Sequence, residues 1–598
     1  MTLRLLIAFV FALGSAPYLQ SQEAADAVAP EAGGAGVVVT SSPAVAAAIA
    51  AKELGVPVKA QDWMVVAAHP LAVEAGARIL DAGGTAADAM VAVQAVLGLV
   101  EPQSSGLGGG AFLVWWDAQT GTLTTLDARE TAPLAVTPQL FQDAAGEPLE
   151  FYDAVVGGRS VGTPGTPALL EEAHRRWGRA NWPTLFRDAI ALSEQGFSVS
   201  ERMAQSVARD AERLARFDGT RAYFLPEGVP VTAGYTLKNP DYAQTLRLLS
   251  AQGAKVFYTG EIARDIVDTV TTAPGNPGVL SEIDLALYRV KERPAVCVPY
   301  RSYDICGMGP PSSGALTVGQ ILGMLEGYDL AALGPQSAQS WRLIGDASRL
   351  AFADRGRYMA DTDFVPVPVK GLIEKGYLAG RGALLGGGAA LDKAEVAAGS
   401  PEFDHALNFA DDVSIELPST SQISIVDQYG NALSMTTTIE NGFGSRLMAR
   451  GFLLNNELTD FSFRTHRNGV PIANRVEPGK RPRSSMAPTI VMKDGAPVLV
   501  IGTPGGSRII PYVAKSLIAF IDWGMNIQEA VALPHLVNRF GTYDLEEGTA
   551  AQDLQPQMEA LGYEVMVRDL NSGLHAIAIG EELQGGADPR REGVALGK

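Results

Sequence analysis

Residues 420–438 constrain the fold of this 598-residue chain more than any other stretch. Thr420-Ser421-Gln422-Ile423-Ser424-Ile425-Val426-Asp427 and the run from Asn431 to Thr438 read as two strands of alternating character. The three-residue loop Gln428-Tyr429-Gly430 joins them. Gly430 takes the third loop position, where a type I turn followed by a left-handed residue favours glycine. Setting Asp427 opposite Asn431 pairs Val426 with Ala432 and, at the open end, Thr420 with Thr438. Two hydroxyls then meet with no His, Lys or Asp beside Thr420 to serve as a base. Thr–Thr pairs are ordinary cross-strand neighbours, and the hairpin alone says no more than that. One chemistry supplies the base. A cut between Ser419 and Thr420 frees an α-amine, whose unperturbed pKa near ~8 lets it take the hydroxyl proton.

Other motifs follow the same chemical thread. Leu126-Asp127-Ala128-Arg129-Glu130-Thr131-Ala132-Pro133 ends a strand with an arginine. Alone, Arg129 reads as an ion-pair residue, although a planar guanidinium also suits bidentate grip of a carboxylate. Gly451 to Phe461 carries Glu457 and Asp460, and Arg483-Ser484-Ser485-Met486-Ala487-Pro488 carries a serine pair. Gly502-Thr503-Pro504-Gly505-Gly506-Ser507 follows a strand at 497–501 and precedes a helix. Glycines there let backbone N–H groups approach a developing oxyanion.

Taken together, these segments resemble the γ-glutamyltransferase (glutathione hydrolase) family of N-terminal-nucleophile hydrolases, from about Val65 to the C-terminus. The family pattern T-[TS]-x-x-S-[VI]-V-D is met by Thr420, Ser421, Ser424, Ile425, Val426 and Asp427. The resemblance implies an α/β (α+β) fold, a four-layer αββα sandwich with additional helices. It implies one precursor cut between Ser419 and Thr420 into a large subunit, 61–419, and a small subunit, 420–598, intertwined in one domain. Thr420 is then the nucleophile, with Thr438 beside it and Gly505 and Gly506 as the oxyanion hole. Arg129, Ser484 and Ser485 hold the α-carboxylate of a γ-glutamyl group, and Glu440, Glu457 and Asp460 hold its α-amine. The implied reaction passes the γ-glutamyl group of glutathione or a related amide to water, an amino acid or a peptide. It requires no cofactor.

Two departures stand out. Glu440 replaces the asparagine usual at its position, adding a carboxylate beside Glu457 and Asp460. Residues 460–484 contain no Tyr or Trp, so the aromatic lid of some relatives is absent. Two rival readings stay open: a cephalosporin (glutaryl) acylase-like amidase, and a non-catalytic exported binding protein that keeps the fold.

The rest of the chain sets limits. A hydrophobic share of 47% with 19% charged residues fits a folded globular chain, and a net charge of −19 repels nucleic acid and anionic membrane surfaces. Arg4 followed by the apolar run 5–13 reads as an export signal over 1–22, too short to span a bilayer, which implies a periplasmic or secreted protein. Residues 23–60 read as a leader or linker without fixed order, with a short Ala-rich helix within it from Pro43. Residues 150–410 read as mainly helical, forming an outer layer and the pocket wall, with the glycine-rich 380–388 and the acidic 395–417 as an exposed connection leading to the cleavage point. Gly106-Leu107-Gly108-Gly109-Gly110-Ala111 matches a dinucleotide-binding pattern, but a helix precedes it and a strand follows, the reverse of the required order. Cys297 and Cys306 face each other across a hairpin turning at Arg301-Ser302, which permits a disulfide or two buried thiols. The histidines at 69, 174, 405, 466, 535 and 575 show no metal-ligand spacing.

Overall fold

The hairpin forms in the expected register. In the computed structural model, which describes residues 42–405, 408–412, 416–417 and 419–598, Ser421–Val426 pairs antiparallel with Ala432–Thr438. Val426 lies opposite Ala432 and Ser421 opposite Thr437. Gly430 sits at φ 81°, and the Asp427 carboxylate accepts the Tyr429 and Asn431 N–H groups at 3.0 Å each. The same carboxylate accepts the Ala86 N–H at 2.8 Å, fixing the turn to the start of helix Ala86–Val100.

The alternation along these strands separates two environments. Ile423, Ile425, Leu433 and Met435 enter the apolar core under helices Pro70–Asp81 and Ala86–Val100. On the other face Ser424 donates to the His575 carbonyl at 2.9 Å and Ser434 to the Ile501 carbonyl at 3.0 Å, both on a second sheet. Buried hydroxyls thus find partners between the sheets, as buried polar groups must.

The two large sheets each have seven antiparallel strands. The first runs in the spatial order Val594–Gly597, Met64–Ala67, Ser421–Val426, Ala432–Thr438, Gly110–Asp117, Thr122–Ala128, Lys291–Arg293. The second runs Val58–Ala60, Leu583–Ala587, His575–Ile579, Ala496–Gly502, Thr489–Lys493, Tyr303–Gly307, Val296–Tyr300. Met64, Val66, Val114, Val426, Ile490, Val500 and Ile577 pack between them. Helices Gly314–Leu325, Ala338–Tyr358 and Ile509–Ile521 cover the outer face of the second sheet. The layers are therefore helix, sheet, sheet, helix. Both sheets draw strands from either side of the Ser419–Thr420 bond, so the two segments share both sheets.

The glycine run 106–110 serves close packing. A Cβ on Gly109 would lie 1.9 Å from the Thr438 carbonyl oxygen, and one on Gly108 2.1 Å from that of Leu453. The strand Gly110–Asp117 follows directly. Cys297 and Cys306 are disulfide-bonded across the hairpin at the edge of the second sheet.

Two expectations need correction. The leader expectation for 23–60 fails at its C-terminal end, although its expected helix is present. Helix Pro43–Glu53 is capped by Ser42, Lys52 donates to the Arg591 and Gly593 carbonyls at 3.0 and 2.7 Å, and Val58–Ala60 joins the second sheet. These contacts span more than 500 residues, beyond the reach of local pattern. The exposed connection also fails at both ends: Lys375–Ala383 is helical, and Glu416 and Leu417 are buried. The export signal lies outside the described residues. No helix among those described is long and apolar enough to cross a membrane.

Candidate active site

Thr420 sits at the head of its strand, 3% exposed. Its hydroxyl lies against the Ser419 carbonyl oxygen and 3.3 Å from the Thr438 hydroxyl. Thr438 Oγ1 donates to that same Ser419 oxygen at 3.1 Å and accepts the Glu440 N–H at 2.9 Å. Two hydroxyls therefore converge on the Ser419 carbonyl oxygen. Ser419 is held in turn by its own hydroxyl on the Gln103 carbonyl, 2.8 Å away.

The threonines open into a small cavity also lined by Arg129, Glu416, Leu417, Ser419, Glu440, Glu457, Asp460, Ser484, Ser485 and Gly506. Its volume, about 20 Å³, is room for little more than one water. Glu416, Leu417 and Ser419 close in on it from one side. A Cβ on Gly506 would lie 2.8 Å from the Leu417 carbonyl, and one on Gly505 3.0 Å from the Tyr512 ring. Gly505 and Gly506 take φ values of 140° and 56°, and only glycine adopts the first without strain. They precede helix Ile509–Ile521, whose N-terminal end faces the same region.

The opposite wall is acidic. Arg129 reaches Glu457 and Asp460 with its guanidinium tips and donates to the Pro482 and Arg483 carbonyls at 3.2 and 2.7 Å. Glu440 and Glu130 complete the group. Burial, followed by repulsion from Asp460 and Glu457, drives the Glu440 carboxyl well above its ordinary range. Glu457 and Asp460 are also raised by burial, against the pull of Arg129. Glu130 is pushed up to about 8, again chiefly by burial. One arginine cannot neutralise four buried carboxyls, so this wall favours an added cation. Glu440 itself sits at φ 75°, a backbone state costly for glutamate and the kind of strain that clusters at functional sites.

All the expected site residues thus gather around one cavity, with Gly505 just behind Gly506. Arg129, expected to meet a substrate carboxylate, instead pairs with Glu457 and Asp460, the two acids expected to meet the amine, and Ser485 meets the Glu416 carboxylate. The sequence reading missed several supports. Arg591, close to the C-terminus, donates to the Thr420 carbonyl at 3.1 Å. Ser421 donates to Glu101 at 2.8 Å, and Glu101 pairs with Arg202. Arg355 and Glu416 were missed as well.

The γ-glutamyltranspeptidase family model matches residues 72–598. The chain belongs to that family. Among relatives, the γ-glutamyltranspeptidase-family chain is 36% identical over 553 residues to the glutathione hydrolase proenzyme of Bacillus subtilis strain 168, covering 90% of this chain and 92% of that one. It is 34% identical over 551 residues to an acylase ACY 1 proenzyme of Pseudomonas sp. strain SE83, covering 90% and 94%. A cephalosporin acylase from Bacillus halodurans shares the fold with a TM-score of 0.79 at 24% identity, covering 91% of this chain and 97% of that one. The family membership makes this an enzyme with an N-terminal threonine nucleophile.

Proposed function

We propose that the chain cuts itself between Ser419 and Thr420 and that the freed Thr420 transfers the γ-glutamyl group of glutathione or a related amide to water, an amino acid or a peptide. The observation that carries this reading is the shared contact of Thr420 and Thr438 with the Ser419 carbonyl oxygen. In the cut, the Thr420 hydroxyl oxygen bonds to the Ser419 carbonyl carbon, and the C–N bond breaks as the proton passes to nitrogen. Water then hydrolyses the ester, leaving a carboxylate on Ser419 and an α-amine on Thr420. That amine takes the hydroxyl proton as Thr420 attacks the donor amide. The Gly505 and Gly506 N–H groups stabilise the oxyanion, and the amine returns its proton to the leaving nitrogen. Nucleophile, base and oxyanion donors all come from the chain, so the chemistry calls for no cofactor.

The acidic wall separates the glutamyl reading from the acylase reading. A glutaryl donor carries no α-ammonium, and placing it beside Glu440, Glu457 and Asp460 leaves that wall without a cation. Residues 1–22 support export as the setting, with 61–419 and 420–598 as the two subunits. N-terminal sequencing of the smaller band on a denaturing gel tests the cut: Thr-Ser-Gln-Ile is expected, and Thr420→Ala should give one uncut band. Paired rates on γ-glutamyl and glutaryl anilides test the substrate, with the γ-glutamyl compound expected to be preferred by about 100-fold, the worth of a buried ion contact. A glutaryl preference would move the chain to the acylase class.

A further inference from the structure

The base in the proposed reaction is an amine that exists only after the cut, and its pKa decides whether it can serve. An α-amine with its ordinary pKa near ~8 is mostly protonated at neutral pH and has no lone pair for the hydroxyl proton. A neighbouring cation lowers such a pKa. Arg591 stands in that place. It is fully buried, and a terminal nitrogen of its guanidinium donates to the Thr420 carbonyl oxygen at 3.1 Å. The Thr420 nitrogen is three bonds from that oxygen, which puts it within about 7 Å of the guanidinium.

Arg591 is fixed from its own side. Its Nε donates to the Asn571 side-chain oxygen at 3.3 Å, its backbone N–H to the Asp588 carbonyl at 3.4 Å, and its carbonyl accepts the Lys52 ammonium at 3.0 Å. Strand Val594–Gly597 follows and pairs with Met64–Ala67, the neighbour of the Thr420 strand. Arg591 stands behind Thr420 and not among the residues that line the cavity. Burying a guanidinium is costly, and bracing one carbonyl needs only a neutral donor. We propose that Arg591 lowers the pKa of the freed Thr420 α-amine, so that the amine is unprotonated at neutral pH and able to act as the base. The amine nitrogen then takes the hydroxyl proton as the Thr420 oxygen bonds to the donor carbonyl carbon, and gives it to the leaving nitrogen as the C–N bond breaks. Arg591 is a positioning residue with an electrostatic task, touching Thr420 and not the substrate. The inference rests on the self-cut between Ser419 and Thr420 and is indifferent to which donor amide follows.

The other charges around Thr420 leave this effect in place. Across the cavity Glu440, Glu457 and Asp460 are held well above their ordinary range, chiefly by burial, and share their wall with Arg129. Glu416 lies on the segment ahead of the cut, between Arg355 and Arg483. Beneath the strand Glu101 accepts the Ser421 hydroxyl and pairs with Arg202, whose backbone N–H meets Glu592 at 3.4 Å. Burial lowers His69 to about 4 and His575 to about 3, so both are neutral above pH 5. Two groups do titrate in the working range: Lys52, lowered to about 8 by burial, and Glu130, raised to about 8 by burial. Both are present in every variant compared below.

The pH profile of the matured enzyme tests the proposal. For hydrolysis of one donor without added acceptor, kcat/KM should rise with pH along an acid limb set by the amine. Arg591→Gln keeps a donor for the Thr420 carbonyl and loses the charge. The limb should then move up by about 1 pH unit, making the variant about 10-fold slower at pH 6 and equal to the parent above pH 9. Arg591→Lys keeps the charge and should leave the limb in place. A glutamine variant slower by the same factor at every pH would mean a brace alone and overturn the proposal.

Where the glutamine variant fails to fold or mature, the parent alone decides. Acetic anhydride labelling of the mature parent across pH 5–9, read by mass spectrometry of the N-terminal Thr-Ser-Gln-Ile peptide, gives the pKa of the amine directly. A value at least about 0.7 below the ordinary ~7.7–8.0 is expected, and any smaller depression would overturn the proposal. A single uncut band on a denaturing gel would instead reject the self-cut, and this inference with it. Two bands with turnover of a glutaryl anilide alone would reject the γ-glutamyl donor and leave the role of Arg591 to be read from the same profile on that substrate.

Discussion

Thr438 donates its hydroxyl to the carbonyl oxygen of Ser419 at 3.1 Å, while the Thr420 hydroxyl lies against the same oxygen. As the hydroxyl adds, that oxygen gains charge, and Thr438 is placed to receive it. Removing one such donor costs about 10²–10³ in rate in acyl transfer. Thr438→Val, close in shape, should slow self-cleavage by about that factor, whereas Thr438→Ser should keep most of it. The measurement is the disappearance of the uncut band with time after purification. Equal rates for Val and Ser would deny Thr438 this role.

The acidic wall should make the uncut chain less stable as pH rises. Glu130, with its folded-state carboxyl at about 8, binds a proton in the native state that the unfolded chain releases above about 4.3. Stability from this group is therefore full below that lower value and is lost as pH climbs toward 8. Glu130→Gln fixes the neutral form and should flatten the decline, stabilising the Thr420→Ala chain at pH 8 by about 2–4 kcal/mol relative to its parent at the same pH. Chemical unfolding at pH 5 and pH 8 reads it. A parent whose stability rises over that interval would show that Arg129 keeps these carboxyls ionised.

Glu440 should act on the substrate amine. It lines the cavity with Glu457 and Asp460, and its carboxyl is driven up by burial and by those two neighbours. An ammonium group relieves that crowding, so the donor's cation and the Glu440 anion stabilise each other. Glu440→Gln should raise KM for a γ-glutamyl anilide by about 10-fold, typical for loss of one charged hydrogen bond. The slow rate on a glutaryl anilide should be unchanged or improve. A fall on both donors alike would point to the backbone at φ 75° instead, and Glu440→Asn, which tolerates that conformation, would then be the milder variant.

The parts of this architecture that could be read in advance are those set by local pattern. The hairpin register followed from a three-residue loop with Gly430 and from counting, and the Cys297–Cys306 pairing from the same arithmetic. What escaped was set by contacts between distant residues. Nothing near Lys52 announces Gly593, and nothing near Glu416 announces Arg355 or Ser485. The acidic run before the scissile bond looks solvated in sequence because its neutralising arginines lie far away in the chain. The site residues themselves were legible only through the family resemblance, since a threonine hairpin alone is an ordinary sheet.

The Cys297–Cys306 bond separates stability from catalysis. It joins the two outermost strands at one edge of the second sheet, where Val296–Tyr300 has a neighbour on one side only. Cys297 is exposed and Cys306 buried. Closing a loop of this size restricts the unfolded chain by about 2–3 kcal/mol. Neither cysteine lines the cavity around Thr420 and Thr438. Replacing both with serine should therefore lower the Tm by a few degrees and leave the cut at Thr420 and the mature enzyme's kcat/KM within about twofold of the parent. The helix Gly314–Leu325 packs against this edge and begins beside Ser313, which touches Arg355. A large drop in kcat/KM in the serine variant, with the fold intact, would mean that loosening the edge is carried along that helix to Arg355 and, through its contact with Ser485, to the cavity wall.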